Sequence, residues 1–270
     1  VFAAQMLNFP IAGGTSGHLV GGVLAAVLLG PAAAVVAMTA VLVLQCLVFG
    51  DGGLLALGAN VLNMAVIHPL VGFAVYRALI GGATPSRWRD VRRIGGIAFA
   101  GWVATLAAAA ACAGELTLSR VAAPAVVLPA MIGVHVVVGA GEAIITALVV
   151  AALARVRPDL LDRASLPGSA PVGSVVVPGL TSAFALALFV SPFACRWPDG
   201  LERVVERLGI SPAQARISMS APLRDYVVPG LGGVSTTAAA AFAGTTMVFG
   251  LCAILGLCLA PRARSTDKPA

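Results

Sequence analysis

The chain alternates between long apolar runs and short polar breaks. Residues 1–9 (VFAAQMLNF) have the pattern of the tail of a membrane helix. A Gly/Thr/Ser loop, PIAGGTSGHL, follows at 10–19, and then a short apolar stretch at 20–29 closed by Gly30-Pro31. Proline is favoured in the first turn of a helix, so Pro31 predicts a helix over 31–49. The run Gly50-Asp51-Gly52-Gly53 ends it. Further apolar spans are predicted at 54–80, 94–113, 122–154, 174–194 and 230–260. Roughly 20 apolar residues cross a hydrocarbon core about 30 Å thick. Backbone groups in such a core must bond within the protein, and these runs lack the alternation of barrel strands. The predicted fold class is all-α, a polytopic transmembrane helical bundle with a C-terminal two-helix hairpin.

Between the fourth and fifth of these long spans lies RVRPDLLDRASLPGSAPVGS, rich in Pro, Gly, Ser and charge, which reads as a domain joint. The division is a multi-helix domain over 1–155, a cytoplasmic linker at 156–173, a two-helix domain over 174–261 and a cytoplasmic tail at 262–270. Within the polar stretch 196–228, PDGLERVVERLG (198–209) has an amphipathic helical pattern. Asp199 and Glu202 suit the N-terminus of that helix.

Composition agrees with a bilayer as solvent. The chain has 270 residues, 59% hydrophobic and 10% charged, where soluble domains carry about 25% charged residues. The net charge of +6 does not signal nucleic acid, because the Arg residues sit at loop edges. Arg77, Arg87, Arg89, Arg92 and Arg93 share a loop with one acid, and Arg155, Arg157 and Arg163 share another with two. Positive loops face the cytoplasm, as does the tail with Arg262, Arg264 and Lys268. Alternation then puts 50–53, 114–121 and 196–228 outside, and 10–19 as well if 20–29 crosses. Cys46, Cys112, Cys195, Cys252 and Cys258 form no CxxC and read as small apolar residues. The chain opens on Val1 inside an apolar segment, which reads as an internal position of a longer protein.

Polar groups in a bilayer are costly, so each invites a functional question. His18 stands where the glycine-rich loop meets the next helix, with the hydroxyls of Thr15 and Ser16 beside it. Gln5 and Asn8, at i and i+3, fall on one face of the predicted first helix. An imidazole among amides and hydroxyls could hold a transition metal, or cap a helix. GGTSG lacks the Lys of a phosphate loop. His135 and Glu142, seven apart on one helical face, form a candidate intramembrane polar pair, either a relay or a structural contact. Asn60 and Asn63 either join helices or line a site, and His68, before Pro69, reads as structural.

AAQMLNFPIAGGTSGHLVGG (3–22), GANVLNM (58–64) and GVHVVVGAGEAIITA (133–147) together resemble the CbiM/NikM family. These are the substrate-specific membrane components of energy-coupling factor cobalt and nickel transporters. SPFACRWPDGLERVVERLG (191–209) and PLRDYVVPGLG (222–232) look like the PDGLE domain, which is similar to the small accessory component. The resemblance implies capture of metal at the external face by nitrogen donors in a square plane. Those donors are the N-terminal amine, the second-residue His, and the His of the TSGH loop, of which the last corresponds to His18. It implies ATP-binding subunits and a membrane scaffold as partners, Co²⁺ or Ni²⁺ as cargo, and no permanently bound cofactor. Two alternatives remain: an intramembrane enzyme using His135 and Glu142 as acid and base, and a non-transporting assembly factor. Fusion to a PDGLE-like part tilts the choice of metal towards nickel.

Overall fold

The computed structural model describes residues 1–11, 14–80, 91–162, 173–195, 197–209 and 220–259. Arg87, Arg89, most of the predicted linker and the C-terminal tail lie outside those residues. Six helices are long and apolar enough to cross a membrane: Pro31–Phe49, Leu57–Ile80, Val91–Leu118, Pro124–Val156, Val175–Phe193 and Val234–Leu259. They correspond one for one to the predicted long spans, and the chain is an all-α multi-pass bundle.

The chain begins with α1 (Phe2–Gln5), one turn only, so Asn8 lies beyond the helix and the expected Gln5/Asn8 face is not formed. The loop expected at 10–19 is an antiparallel hairpin instead. In it β1 (Phe9–Ile11) pairs with β2 (Thr15–Gly17), in the register Phe9↔Gly17 and Ile11↔Thr15. Then come α2 (Gly22–Leu29) and α3 (Pro31–Leu44), the latter opening on its proline as predicted and continuing as a π-helical turn, Gln45–Phe49. The second span is built from α4 (Leu57–Asn60), a π-helical stretch Val61–Ile67 and α5 (His68–Ile80). α6 (Val91–Leu118) and α7 (Pro124–Val156) pack along their length through small residues, with Ala100, Ala104, Ala109 and Ala113 of α6 buried. Small side chains let the backbones approach closely where lipid supplies no hydrophobic drive. α8 (Pro158–Asp162) closes this part.

At eight residues α2 is about 12 Å long, too short to cross alone. The hairpin completes the crossing. Phe9 and Gly17 pack on α7 at Gly141 and Val138, some 14 to 17 residues along that helix. Val23 and Val27 of α2 pack farther on, in a cluster with Val150, Ala154 and Leu161. Hairpin and α2 thus run end to end beside α7.

The C-terminal part is α9 (Gly173–Ala185), which extends through Leu186–Val190 to Phe193, then α10 (Gly200–Arg207) and α11 (Val234–Leu259). α10 opens with the predicted acidic residues as a capping box: Glu202 N–H donates to Asp199 Oδ1 (2.8 Å) and Asp199 N–H to Glu202 Oε2 (3.0 Å). Phe2, Val41, Leu44 and Phe49 form one apolar cluster with Ala187, Ala240 and Ala241, so the helical hairpin packs on the first part. Beyond the bundle, Leu223 N–H donates to the Val48 carbonyl (2.9 Å), and the Tyr226 ring stacks on Phe49 with centroids 4.6 Å apart. The Tyr226 hydroxyl donates to Asp51 Oδ2 (2.6 Å).

Burial, and then the Asp51 carboxylate, push the Tyr226 hydroxyl above the usual phenol range. A raised folded value stabilises the protonated form, so this contribution is complete below the unfolded phenol pKa of about 10 and is lost as pH rises beyond it. Tyr226→Phe is expected to cost about 1 kcal/mol at pH 8. Melting in detergent should show that difference shrinking above about pH 10; a difference independent of pH would refute it.

Candidate functional site

Inside the first part, the junction between the hairpin and α2 leaves residues 18–21 outside regular structure. Non-helical backbone at membrane depth requires partners within the protein. Glu142, fully buried on α7, supplies them: Oε2 accepts Val20 N–H (2.7 Å) and Oε1 accepts Gly21 N–H (3.0 Å). Gln5, also buried, donates from Nε2 to the Val20 carbonyl (2.9 Å). His68, with no exposure, stands across from Glu142 with Nε2 3.8 Å from Oε1, too long for a hydrogen bond. Both ring nitrogens of His68, Gln5 Oε1 and Thr146 Oγ1 are buried without a hydrogen-bond partner. A cluster of buried polar groups therefore lies under the turn that carries His18.

His18 is half-buried, and its Nδ1 lies 3.4 Å from the Leu19 carbonyl. It lies within electrostatic reach of His68, His135 and Glu142. Glu142 and His135 do not meet, contrary to the pairing expected from their spacing. Glu142 turns to His68 and the turn, while His135 Nδ1 bonds the Met131 carbonyl one helical turn back (2.8 Å). The His135 ring packs against Gly200 at the start of α10, where a Cβ would stand 2.9 Å from Cε1. Seven residues bring two side chains to nearly the same face but about 10.5 Å apart along the axis, and neighbouring elements divide that face between them.

Of the two hydroxyls beside His18, that of Ser16 serves the fold. Thr15 is buried, and Ser16, with no exposure, joins the hairpin to the segment before α10. Ser16 N–H donates to the Pro198 carbonyl (2.8 Å) and Ser16 Oγ to the Trp197 carbonyl (2.7 Å). The Asn8 carbonyl accepts Cys195 N–H (2.8 Å), and the Arg203 guanidinium lies over Gly14. Asn63 lies apart from this cluster in its bonding, donating from Nδ2 to Glu115 Oε2 (3.0 Å), and Asn60 lies against Gly52. Glu115 was not among the sequence candidates, since its partner is 52 positions away. Among the described residues no three His, Cys, Asp or Glu side chains converge as a metal site. His18 thus stands as a single imidazole on a braced turn.

The fold and this site define a multi-pass membrane protein with buried polar groups around a non-helical turn. The chain belongs to the CbiM family, cobalt uptake substrate-specific transmembrane region, which matches residues 1–160, and a PDGLE domain matches 173–261. A putative fused nickel transport protein NikMN of Archaeoglobus fulgidus is 38% identical over 253 residues, 93% of this chain and 81% of that protein. A probable fused nickel transport protein LarMN of Lactiplantibacillus plantarum is 35% identical, covering 85% of this chain and 74% of its own length. A crystal structure of a transition metal transporter is 41% identical over 57% of this chain and 71% of that one, with a TM-score of 0.49.

Ser16→Ala removes the donor to the Trp197 carbonyl and should lower stability by about 1–3 kcal/mol. Hydrogen exchange of segment 197–200 should speed up in parallel; unchanged exchange there would show that the hairpin does not hold it.

Proposed function

We propose that this chain is the substrate-binding component of an energy-coupling factor importer for nickel or cobalt, taking the ion at the extracytoplasmic face. The carrying observation is His18, half-buried on a turn braced by Glu142 at the base of a hairpin that reaches α10. The cytoplasmic assignment of the Arg-rich loops places α10 and the hairpin tip outside and the C-terminus inside. An importer's capture group belongs on that side. Neutral imidazole suits Ni²⁺ and Co²⁺, and the remaining nitrogen donors are those the family resemblance implies. ATP hydrolysis belongs to separate subunits, which act with a membrane scaffold. The intramembrane acid–base alternative loses its pair, because Glu142 is occupied with the turn and His68.

The test is uptake of radiolabelled nickel and cobalt by cells carrying the full-length protein with its partner subunits. Loss of outer-shell partners of a metal costs about 10- to 100-fold, so His18→Ala, which removes a donor, should reduce uptake at least 100-fold. Uptake at the normal rate would sink the capture reading, and uptake of neither metal by the unaltered protein would favour the assembly-factor alternative.

A further inference from the structure

Glu142 has two features that backbone satisfaction alone does not require. Each of its oxygens takes a separate N–H, from Val20 (2.7 Å) and Gly21 (3.0 Å), so the carboxylate plane fixes the orientation of two successive peptides rather than one. Those peptides begin two residues after His18. On its other side the carboxylate faces His68, whose ring makes no hydrogen bond and whose Nδ1 lies where a Cβ on residue 22 would come within 2.6 Å. Glycine at 22 lets the turn approach the ring, and Gly21 takes φ of +75° to enter α2. The turn is clamped between a carboxylate and an imidazole with no slack on either side.

We propose that Glu142 is a positioning residue for metal capture: by gripping the Val20 and Gly21 amides it holds the turn that carries the His18 imidazole. This rests on the capture reading of His18. Among the described residues Glu142 is the acid fully buried beneath this turn. A neutral glutamine of the same shape keeps one acceptor oxygen and loses both the second acceptor and the charge.

The experiment measures Ni²⁺ binding to the full-length protein in detergent, by calorimetry and by the absorption band of the bound ion. Glu142→Gln should weaken Ni²⁺ binding by about 10- to 100-fold, the range seen for residues behind a metal ligand, and shift the band. Gly22→Ala, whose Cβ would collide with the His68 ring and force the turn and the ring apart, should weaken it in the same direction. Wild-type affinity and an unshifted band in folded Glu142→Gln, with binding still abolished by His18→Ala, overturn the positioning role and leave the capture reading intact. Failure of the unaltered protein to bind Ni²⁺ and Co²⁺, or wild-type binding by His18→Ala, overturns the capture reading itself. If neither clamp variant folds, hydrogen exchange of the unaltered protein decides. Strong protection of the Val20 and Gly21 amides supports the clamp, and exchange as fast as at the hairpin tip overturns it.

Discussion

A polypeptide that leaves the helical state inside a bilayer must find a partner for every exposed amide, and the whole first part is arranged around meeting that requirement at residues 18–21. Glu142 meets it for Val20 and Gly21, and Gln5 meets it for the Val20 carbonyl. Without them the hairpin could not feed into α2 at membrane depth, and α2 alone cannot cross. The unusual crossing, half β-hairpin and half helix, therefore depends on a carboxylate that would otherwise be expensive to bury. What makes it tolerable is that the cost of dehydrating Glu142 is offset by the backbone groups it satisfies.

The same hairpin ties the two parts of the chain together. Its β2 edge bonds to Trp197 and Pro198, as an unpaired strand edge tends to do, and Asn8 meets Cys195. Gly200 brings α10 onto His135, a histidine for which spacing alone leaves a relay and a structural contact both open. Tyr226 and Leu223 make a second attachment on the end of the Pro31–Phe49 span. The two attachments are at separate elements, and together they restrict rotation of the accessory part as well as its separation.

The six spans were legible because uninterrupted apolarity has one structural solution in lipid. The start of α10 was legible because Asp199 and Glu202 are acids suited to a helix N-terminus, and the structure adds that they close a capping box. The hairpin was not, since a Gly/Ser/Thr run with a proline specifies a break in helix without specifying what replaces it. Nor was the partner of Glu142. Helical spacing pointed to His135, but the real partners, His68, Val20 and Gly21, are 74, 122 and 121 positions away and are set by how α5 and α7 enclose the turn. His68 reads as structural in the sequence because proline follows it, and its place beside Glu142 shows only in the fold. His18 was identifiable as a candidate donor, whereas Ser16 beside it is committed to the fold.

This division of labour bears on metal choice. A single imidazole binds nickel, cobalt, copper and zinc alike, so the side chain carries little selectivity. Selectivity in such a site comes from the fixed directions of its donors, because square-planar nitrogen coordination suits Ni²⁺ and disfavours ions that prefer a tetrahedron. Directions are fixed only where the backbone is. A turn held by two amide bonds to one carboxylate, with a histidine pressed behind it, has few ways to re-aim an imidazole. On the capture reading proposed above, His18 in a free loop would follow whichever ion arrived, whereas on this turn the ion must accept the direction that the fold presents.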